Sequence, residues 1–395
     1  QSRRVAVDIT EPLRIGVVGL GARSKLATHV ETDQNGARIV AACDPDPTAR
    51  IRCAELLGKD PETFPIVSSV RELIELGLGA AFVTSPDDTH SHVTAELLEA
   101  GIPVYLEKPM ATTLESATRI LTTAYETTTR LHVGHTMRHT PFIQQMRDLI
   151  LEDVIGEVKA IWCRHFIGHD GYPYAEERHI DQRHPNDLSL QKAIDDLEAM
   201  HWLTGSHTRN VVGMGEPLIH EKEQENTQVM APLFSLENRS KEKQASFNDI
   251  VDVKHVSMLM ARMESGALIS YQQCHFTPDD RLTYTVIGSR GGLENFSNGE
   301  NRVIRLRTDR SPYDEKQNRE IVVQDGNEDA DSLAVADFLR FARTGAPTKT
   351  SPLDAWQAVA TVIQATDSLR DESKLRHIPS LPTKLVEYFS NNQKN

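Results

Sequence analysis

Residues 14–24, Arg-Ile-Gly-Val-Val-Gly-Leu-Gly-Ala-Arg-Ser, decide the fold of this chain. An apolar run ends at Gly19, and Gly21, Ala22 and Arg23 follow in a G-x-G-x-x-G pattern that has Ser in its third place. Glycines in this pattern allow a tight turn and a close approach of the backbone to a pyrophosphate, and the first amides of the next helix face the anion. The stretch therefore predicts a strand, a turn and a helix that bind a dinucleotide.

A second strand-like run, residues 38–43, ends directly before Asp44, which stands 23 residues after Gly21. A carboxylate at this point accepts hydrogen bonds from the ribose diol of NAD and repels the 2′-phosphate of NADP. The sequence therefore predicts NAD as the cofactor and makes NADP less favourable, although Arg50 could offset the repulsion. The alternative interpretation is a glycine-rich turn followed by an unrelated Asp.

The alternation of strand and helix continues through the first 140 residues. Further strands are predicted at 64–67, 80–84, 103–106 and 131–134, with helical segments between them. Strands that alternate with helices of about 10–15 residues predict an α/β fold with a doubly wound parallel sheet.

Two of these strands end in residues suited to chemistry. Residues 102–110, Ile-Pro-Val-Tyr-Leu-Glu-Lys-Pro-Met, place Glu107 and Lys108 at the carboxyl end of a buried strand. Ligands of open α/β sheets bind outside this end, where Lys108 can donate a proton or a charged hydrogen bond to a substrate oxygen. A surface Lys–Glu pair that closes the strand is the alternative. The strand at 80–84 leads to His90, which either caps its own helix or faces the same cleft.

Length, charge and cysteine usage bound the class of protein. A chain of 395 residues is too long for one ordinary core, so two domains are expected. Its 43 basic and 57 acidic residues give a net charge of -14, which disfavours nucleic acid as a partner. The sequence has no apolar run of the length of a membrane span. Four cysteines without metal-binding spacing, and no visible signal peptide, predict a cytoplasmic protein.

Histidines cluster after a strand predicted at 157–166. His165 and His169 are four residues apart, a spacing that can bind a metal on a helix. Two glycines and a proline in the same stretch disfavour a helix. We therefore predict no metal site, and a polar loop over a sugar pocket at 163–187.

The rest of the second half predicts one long helix and an antiparallel sheet. The helix runs from Ser189, a capping residue, to Gly205, a stop signal. At about 100° per residue, one helical face is polar, and solvent is its simplest neighbour. That face holds Gln191, Lys192, Asp195 and Asp196. Strands are predicted at 255–263, 267–275, 283–288 and 302–308, closing helices at 331–343 and 352–369, and a polar insertion at 216–250.

Several of these pieces together resemble the glucose-fructose oxidoreductase, inositol dehydrogenase and MocA family. The matching pieces are residues 19–23, Asp44, 84–90, 100–110 and 134–138. The resemblance implies an NAD-binding Rossmann domain at 1–140. It also implies a substrate-binding and oligomerisation domain at 141–395, with an open, mostly antiparallel sheet. The implied activity is hydride transfer between the nicotinamide and a secondary hydroxyl of a sugar or cyclitol, in a homo-oligomer (dimer or tetramer).

The resemblance also implies roles for individual residues. Lys108 corresponds to the catalytic Lys of the family. The implied cofactor contacts are Gly19, Gly21, Ala22, Arg23, Asp44, Thr84, Ser85, Pro86, His90, Glu107, Lys108 and Arg138. The implied substrate contacts are Lys108, His165, Gln191, Lys192 and Asp195.

The second catalytic group is where the chain departs from the family. Members usually carry His where Asp195 stands, and many carry Asp where this chain has Gln191. Histidine exchanges protons near neutral pH, whereas an unperturbed Asp stays ionised. We interpret Asp195 either as a base whose pKa burial raises, tuned by Lys192, or as the mark of an inactivated form.

Two other functions stay open at the level of sequence. One is an NAD-dependent glycosidase or lyase, in which transient oxidation acidifies a neighbouring C–H bond and permits elimination. The other is a non-catalytic regulator that binds nucleotide and sugar, for which the absent His at position 195 is the sequence support.

Overall fold

The computed structural model describes residues 11–32, 36–168, 188–216, 256–277, 280–295, 302–308, 319–324 and 329–394. These residues form two compact units. The first comprises the described residues within 1–140, 326–359 and 380–395, and the second comprises the described residues within 141–325 and 360–379. The sequence-based division placed everything after residue 140 in the second domain, whereas the chain returns twice to the first unit.

The described strands run in chain order as follows: Leu13–Val18 (β1), Ala37–Cys43 (β2), Ile66–Val67 (β3), Ala80–Val83 (β4), Val104–Leu106 (β5), Leu131–Val133 (β6), Val158–Gly168 (β7), Thr208–Glu216 (β8), Val256–Met263 (β9), Leu268–Thr277 (β10), Arg281–Gly288 (β11), Gly292–Asn295 (β12), Arg302–Arg307 (β13), Arg319–Val323 (β14) and Arg376–His377 (β15). The described α-helices are Ala49–Leu57 (α1), Val70–Glu75 (α2), His90–Glu99 (α3), Leu114–Thr127 (α4), Pro141–Leu151 (α5), Leu188–Thr204 (α6), Ala330–Thr344 (α7), Pro352–Arg370 (α8) and Thr383–Ser390 (α9). None of these helices combines the length and apolarity needed to cross a bilayer.

The first unit is built on a parallel sheet in the order β3-β2-β1-β4-β5-β6. Every neighbouring pair is parallel, which confirms the doubly wound sheet. Buried strands without polar alternation are typical of a parallel sheet covered on both faces, and β4 is buried at each of its four positions.

The C-terminal segments pack onto this first sheet, which explains why the chain returns there. Phe338 of α7 meets Phe82 edge to face, with ring centroids 5.3 Å apart, and Phe82 stacks on Tyr105 at 4.8 Å. Such aromatic pairs contribute roughly 0.5–1.5 kcal/mol beyond the area that they bury. Near the chain end, the Gln393 amide hydrogen-bonds both backbone groups of Leu131, at 2.9 and 2.7 Å.

The helix expected after Gly21 is a 3₁₀ helix, Ala22–Val30, rather than an α-helix. The amide of Ser24 donates to the carbonyl of Gly21, three residues back, at 3.0 Å. The Ser24 and Thr28 hydroxyls also donate to carbonyls three residues back, both at 2.7 Å. These side-chain bonds compete with the α-helical pattern and favour the tighter turn.

The second unit is built on a larger sheet in the order β14-β13-β12-β11-β7-β10-β9-β8-β15. The β7–β10 pair is parallel, and the other neighbours are antiparallel, so the sheet is mixed and mostly antiparallel as expected. Strands β8, β12, β14 and β15, and helix α9, were not predicted from the sequence.

Candidate functional site

The two glycines of the Gly-rich turn differ in what surrounds them. Gly19 has φ +88°, and a Cβ there would lie 2.5 Å from the Ser85 backbone nitrogen and Cα. At Gly21 a Cβ would meet no protein atom within 4 Å. Gly19 is therefore required by packing against the end of β4, whereas Gly21 leaves open space over the backbone. An open, Cβ-free backbone of this kind fits a dinucleotide pyrophosphate.

Asp44 follows β2 and is already held in a network. Its carboxylate accepts the backbone amides of Leu20 at 2.8 Å and Asp46 at 2.9 Å. Arg52 bonds Asp44 at 3.3 Å and Asp46 at 2.7 Å. A carboxylate offers about four acceptor positions, so the fourth suits a ribose hydroxyl.

Arg52 is the cation beside Asp44, a position that the sequence analysis assigned to Arg50. Its Nε also donates to the Leu20 carbonyl at 2.8 Å, which ties α1 to the Gly-rich turn. Helical spacing could have predicted this role for Arg52, because residue 52 lies one helical turn beyond Thr48. Arg52 also donates to the Thr48 hydroxyl at 2.9 Å. The side chain of Arg50 lies outside the described part of the chain.

Arg23, a predicted pyrophosphate contact, is engaged by two carboxylates. Its Nε donates to Glu107, and its Nη atoms donate to both oxygens of Asp331 at 3.0 and 3.3 Å. Burial alone would lower the pKa of the Arg23 guanidinium, but the charge of Glu107 and the bonds to Asp331 outweigh it and raise the pKa. Arg23 therefore anchors the Gly-rich turn to the end of β5 and to α7.

Hydrogen bonds join the ends of β1, β4 and β5. Thr84 donates its hydroxyl to the Gly19 carbonyl at 2.8 Å. The buried His90 ring lies 2.9 Å from the Ser85 carbonyl and 2.7 Å from the Pro109 carbonyl. His90 therefore bridges two strand ends and is the first residue of its helix rather than the cap. Pro86 lies between Ser85 and the short turn at Asp87–Thr89.

Lys108 stands at the carboxyl end of β5, where it was predicted, with a partly exposed side chain. Its backbone amide donates to the buried Glu107 carboxylate at 2.7 Å, so Glu107 fixes both Arg23 and the backbone of Lys108. Arg138, another predicted cofactor contact, is buried and donates to the Lys349 carbonyl and to Asp354, both at 2.7 Å.

In the second unit, α6 carries the predicted second catalytic group. The helix includes Gln191 and Lys192, but their side chains lie outside the described residues, as do most of the loop at 163–187 and the insertion at 216–250. Asp195 is partly exposed. Its neighbour Asp196 is buried and faces the sheet.

Asp196 joins two strands through short hydrogen bonds, and the sequence analysis gave it no role. One carboxylate oxygen lies 2.6 Å from Nδ1 of His165 on β7. The other accepts the hydroxyl of Tyr284 on β11, also at 2.6 Å. Tyr271 on β10 donates to Gln273 at 3.0 Å beside them.

Burial and the Asp196 charge shape the acid–base behaviour of this cluster. Together, burial first and the Asp196 charge second, they raise the pKa of Tyr284, Tyr271 and Cys163 well above the ordinary values. These groups therefore stay protonated at neutral pH, and Tyr284 remains a donor. Within the described residues, three or more His, Cys, Asp or Glu side chains nowhere gather as a metal would need. His169 lies outside them.

Two family descriptions match this chain. Residues 13–135 match "Oxidoreductase family, NAD-binding Rossmann fold", and residues 143–294 match "GFO/IDH/MocA C-terminal domain". Together the two matched segments cover most of the chain.

Individual relatives are more distant. The rhizopine catabolism protein MocA of Rhizobium meliloti is 24% identical over 198 residues, which are 50% of this chain and 59% of that protein. A myo-inositol dehydrogenase of Streptomyces leeuwenhoekii is 28% identical over 206 residues, which are 52% of this chain and 60% of that protein. The chain thus spans less than two thirds of the length of these relatives.

A solved structure extends the likeness in fold over nearly the whole chain. It is an oxidoreductase from Agrobacterium radiobacter in complex with NAD+, L-tartaric acid and magnesium. It aligns with 93% of this chain and 98% of its own, at a TM-score of 0.71 and 15% sequence identity.

Proposed function

This chain belongs to the glucose-fructose oxidoreductase, inositol dehydrogenase and MocA family, and on that premise we propose that it is an NAD-dependent oxidoreductase of sugars or cyclitols. One observation carries the proposal. Gly19, Asp44 and Lys108 follow strands β1, β2 and β5, so all three lie at the carboxyl edge of one parallel sheet. Ligands of such sheets bind at this edge.

The Gly-rich edge has the features that a dinucleotide requires. The backbone around Gly19, Gly21 and Ala22 would hold the pyrophosphate, and Asp44 the adenosine ribose. Thr84, Ser85 and Pro86 would line the same edge. NAD, when bound, supplies the acceptor for hydride, while the protein orients and polarises the substrate.

Lys108 is the proposed group at the reacting oxygen. An ammonium group at the end of a rigid strand can donate a hydrogen bond to a hydroxyl or carbonyl oxygen and stabilise developing negative charge. Glu107 holds the backbone of Lys108, which limits its freedom. Asp195, with Lys192 beside it on α6, is the proton partner that the family comparison suggests. Gln191 and His165 are proposed substrate contacts.

NAD is the proposed cofactor in preference to NADP. The Asp44 carboxylate would face the 2′-phosphate of NADP with a like charge in a partly buried place. Arg52 reduces that penalty without removing it, since it already bonds two carboxylates.

The exposed face of the second sheet supports self-association as a further proposal. Adjacent strands present Met214, Met258, Met260 and Trp162, all about half exposed. In register, Met214 pairs with Met258, and Ser270 lies between Met260 and Trp162. An apolar sheet face of this kind favours a homodimer or tetramer. The four free cysteines also support a reducing, cytoplasmic location.

The test is a screen of inositols, aldoses and glycosides for NADH formation and for net cleavage by the purified protein, run beside a measurement of NAD binding. The proposal predicts NADH formation with at least one polyol. Net cleavage of a glycoside with retained NAD would instead indicate the glycosidase or lyase. Binding of nucleotide and sugar without turnover would indicate the regulator, which the Asp at position 195 favours.

A further inference from the structure

We infer that His165 is the general base for the substrate hydroxyl and that Asp196 is the residue that positions it. The inference rests on the proposed oxidoreductase function and names a proton acceptor different from Asp195. It stands on the His165–Asp196–Tyr284 chain of hydrogen bonds described above.

Solvent exposure increases along these three hydrogen-bonded residues, from Tyr284 and Asp196 to His165. The side chains of Asp196 and Tyr284 are almost completely buried, at 1% and 0% exposure, whereas the His165 side chain is 20% exposed. Here the carboxylate is buried and the imidazole keeps access to the surface, as a group that exchanges protons requires.

The hydrogen bonds set the tautomer of His165. Tyr284 is a donor, because burial and the Asp196 charge keep its hydroxyl protonated. We assign the proton between Nδ1 of His165 and the other Asp196 oxygen to Nδ1, because an Asp carboxylate can accept at both oxygens. The basic nitrogen of the imidazole is then Nε2, and the Asp196 charge stabilises the imidazolium that forms when Nε2 gains a proton.

The His165–Asp196 pair supplies the imidazole that is absent at position 195 of α6. An Asp at position 195 has an ordinary pKa of about 3.9 and is a weak base at neutral pH. An imidazole, with an ordinary pKa of about 6.5, is suited to the task. In this chain α6 supplies the buried carboxylate, one residue after Asp195, and β7 supplies the imidazole.

The proposed step balances. In the oxidation, the hydroxyl proton moves to Nε2 of His165, and the carbon gives up its hydrogen with both bonding electrons to the nicotinamide cofactor as the C=O bond forms. In the reduction, the His165 imidazolium returns the proton to the forming hydroxyl.

The described titratable and charged residues on the elements packed around His165 are Lys159, Cys163 and Arg164 of β7, Asp195, Asp196, Glu198 and His201 of α6, Tyr271 and Cys274 of β10, and Arg281 and Tyr284 of β11. The raised pKa values of Cys163, Tyr271 and Tyr284 move these three groups further from neutrality.

The activity test compares His165→Gln, Asp196→Asn and Asp195→Asn with the wild type. His165→Gln should lower kcat/KM about 10²–10⁴-fold at pH 7 and remove the acid limb of the pH profile. Asp196→Asn should lower kcat/KM and shift that limb to lower pH, because the lost negative charge no longer stabilises the imidazolium.

His201→Gln is the matched control. His201 is a buried histidine of the same helix, and its Nε2 lies 2.9 Å from the Thr208 hydroxyl. The loss of His201 should lower the free energy of unfolding. The value of kcat/KM should change by less than about twofold, and the acid limb should keep its position. Loss of the limb in His201→Gln as well would mean that the effect is structural and would overturn the inference.

A second measurement does not need turnover. Nitrogen-15 NMR at pH 8, with the His165 signals identified by their absence in His165→Gln, should show the proton on Nδ1. A proton on Nε2 instead would overturn the inference.

The outcomes separate this inference from the proposed function. A wild-type protein that oxidises no polyol ends both. A wild type that turns over, with His165→Gln retaining its rate and acid limb, ends only the role of His165. If Asp195→Asn then loses the limb, Asp195 is the base.

Discussion

Two regions of the molecule differ in the groups that they present. They are the carboxyl edge of the first sheet and the helix-covered face of the second sheet. At the first, glycine positions leave backbone open, and the charged side chains nearby are paired with each other, as Arg23 is with Glu107 and Asp331. At the second, side chains from one helix and two strands form a chain of hydrogen bonds around Asp196.

The two regions differ in how their geometry is specified by the sequence. A site made of backbone depends on local spacing, so a short motif specifies it. A site made of side chains from distant elements depends on register and helical face. Substitutions in one of these regions are expected to change the property that depends on that region and to leave the other properties unchanged.

Lys108 should show the largest effect. Lys108→Ala removes the proposed charged donor at the substrate oxygen and should lower kcat/KM about 10²–10⁴-fold, with little change in the Kd of NAD. Steady-state kinetics and a direct NAD titration check both parts. Lys159→Ala is the control, since Lys159 is an exposed lysine paired with Glu157. Normal turnover in Lys108→Ala would return Lys108 to a structural role.

The two glycines should separate stability from binding. Gly19→Ala places a methyl group against the Ser85 backbone at positive φ, so we expect a loss of about 2–4 kcal/mol in the free energy of unfolding. Gly21→Ala meets no protein atom, so stability should change by less than about 0.5 kcal/mol. The affinity of Gly21→Ala for NAD should nevertheless fall roughly 10–100-fold.

Urea unfolding and NAD titration of both glycine variants decide the matter. Unchanged NAD affinity in a folded Gly21→Ala protein would contradict a pyrophosphate site over this turn.

Buried histidines of the first unit should make it sensitive to acid. Burial lowers the pKa of His132 to about 3 and that of His139 to about 4, below the ordinary value near 6.5. The unfolded chain therefore binds protons that the folded unit excludes, and stability falls as pH drops below about 6.5. From pH 7.5 to pH 5 each histidine should cost about 2 kcal/mol.

Urea unfolding at several pH values measures this dependence, and His132→Gln should flatten it. The change in slope is informative even if the variant is less stable at every pH. An unaltered slope would mean that His132 does not stay neutral in the folded unit.

Asp44 should give the smallest effect, on cofactor choice. Asp44→Ser removes the like charge and frees Arg52 for a 2′-phosphate, so the NADP-to-NAD affinity ratio should rise about tenfold. Asp46→Ser is the matched control, because it removes the other carboxylate partner of Arg52 and keeps Asp44, the proposed ribose contact. Equal affinities of the wild type for NAD and NADP would contradict the assignment of Asp44.

The sequence was sufficient to predict the parallel sheet and the residues that follow its strands. Apolar runs that stop at Gly19, Asp44 and Glu107 are local features, and the strands end directly before these residues in the structure. It was less informative for the second sheet. Strand β12, Gly292–Asn295, is short and contains glycine and asparagine, and β14 begins with Arg and Glu, so neither resembles a strand in isolation.

The cluster around Asp196 could not have been predicted in the same way. His165 and Tyr284 are 31 and 88 residues from Asp196, and nothing local relates them. The helical pattern placed Asp195 and Asp196 on the same polar face, whereas the fold buries the second and leaves the first partly exposed. Consecutive residues of a helix point about 100° apart, so the packing of the helix on the sheet decides which of the two is buried.

Hydride transfer itself tests the central claim most directly. The protein is incubated with NAD and fully deuterated forms of the polyols that it binds, and the nicotinamide is then analysed by mass spectrometry. The account predicts that deuterium accumulates in reduced nicotinamide in step with an oxidised polyol, and that Lys108→Ala slows this transfer. Polyol binding with no deuterium in the nicotinamide would contradict it.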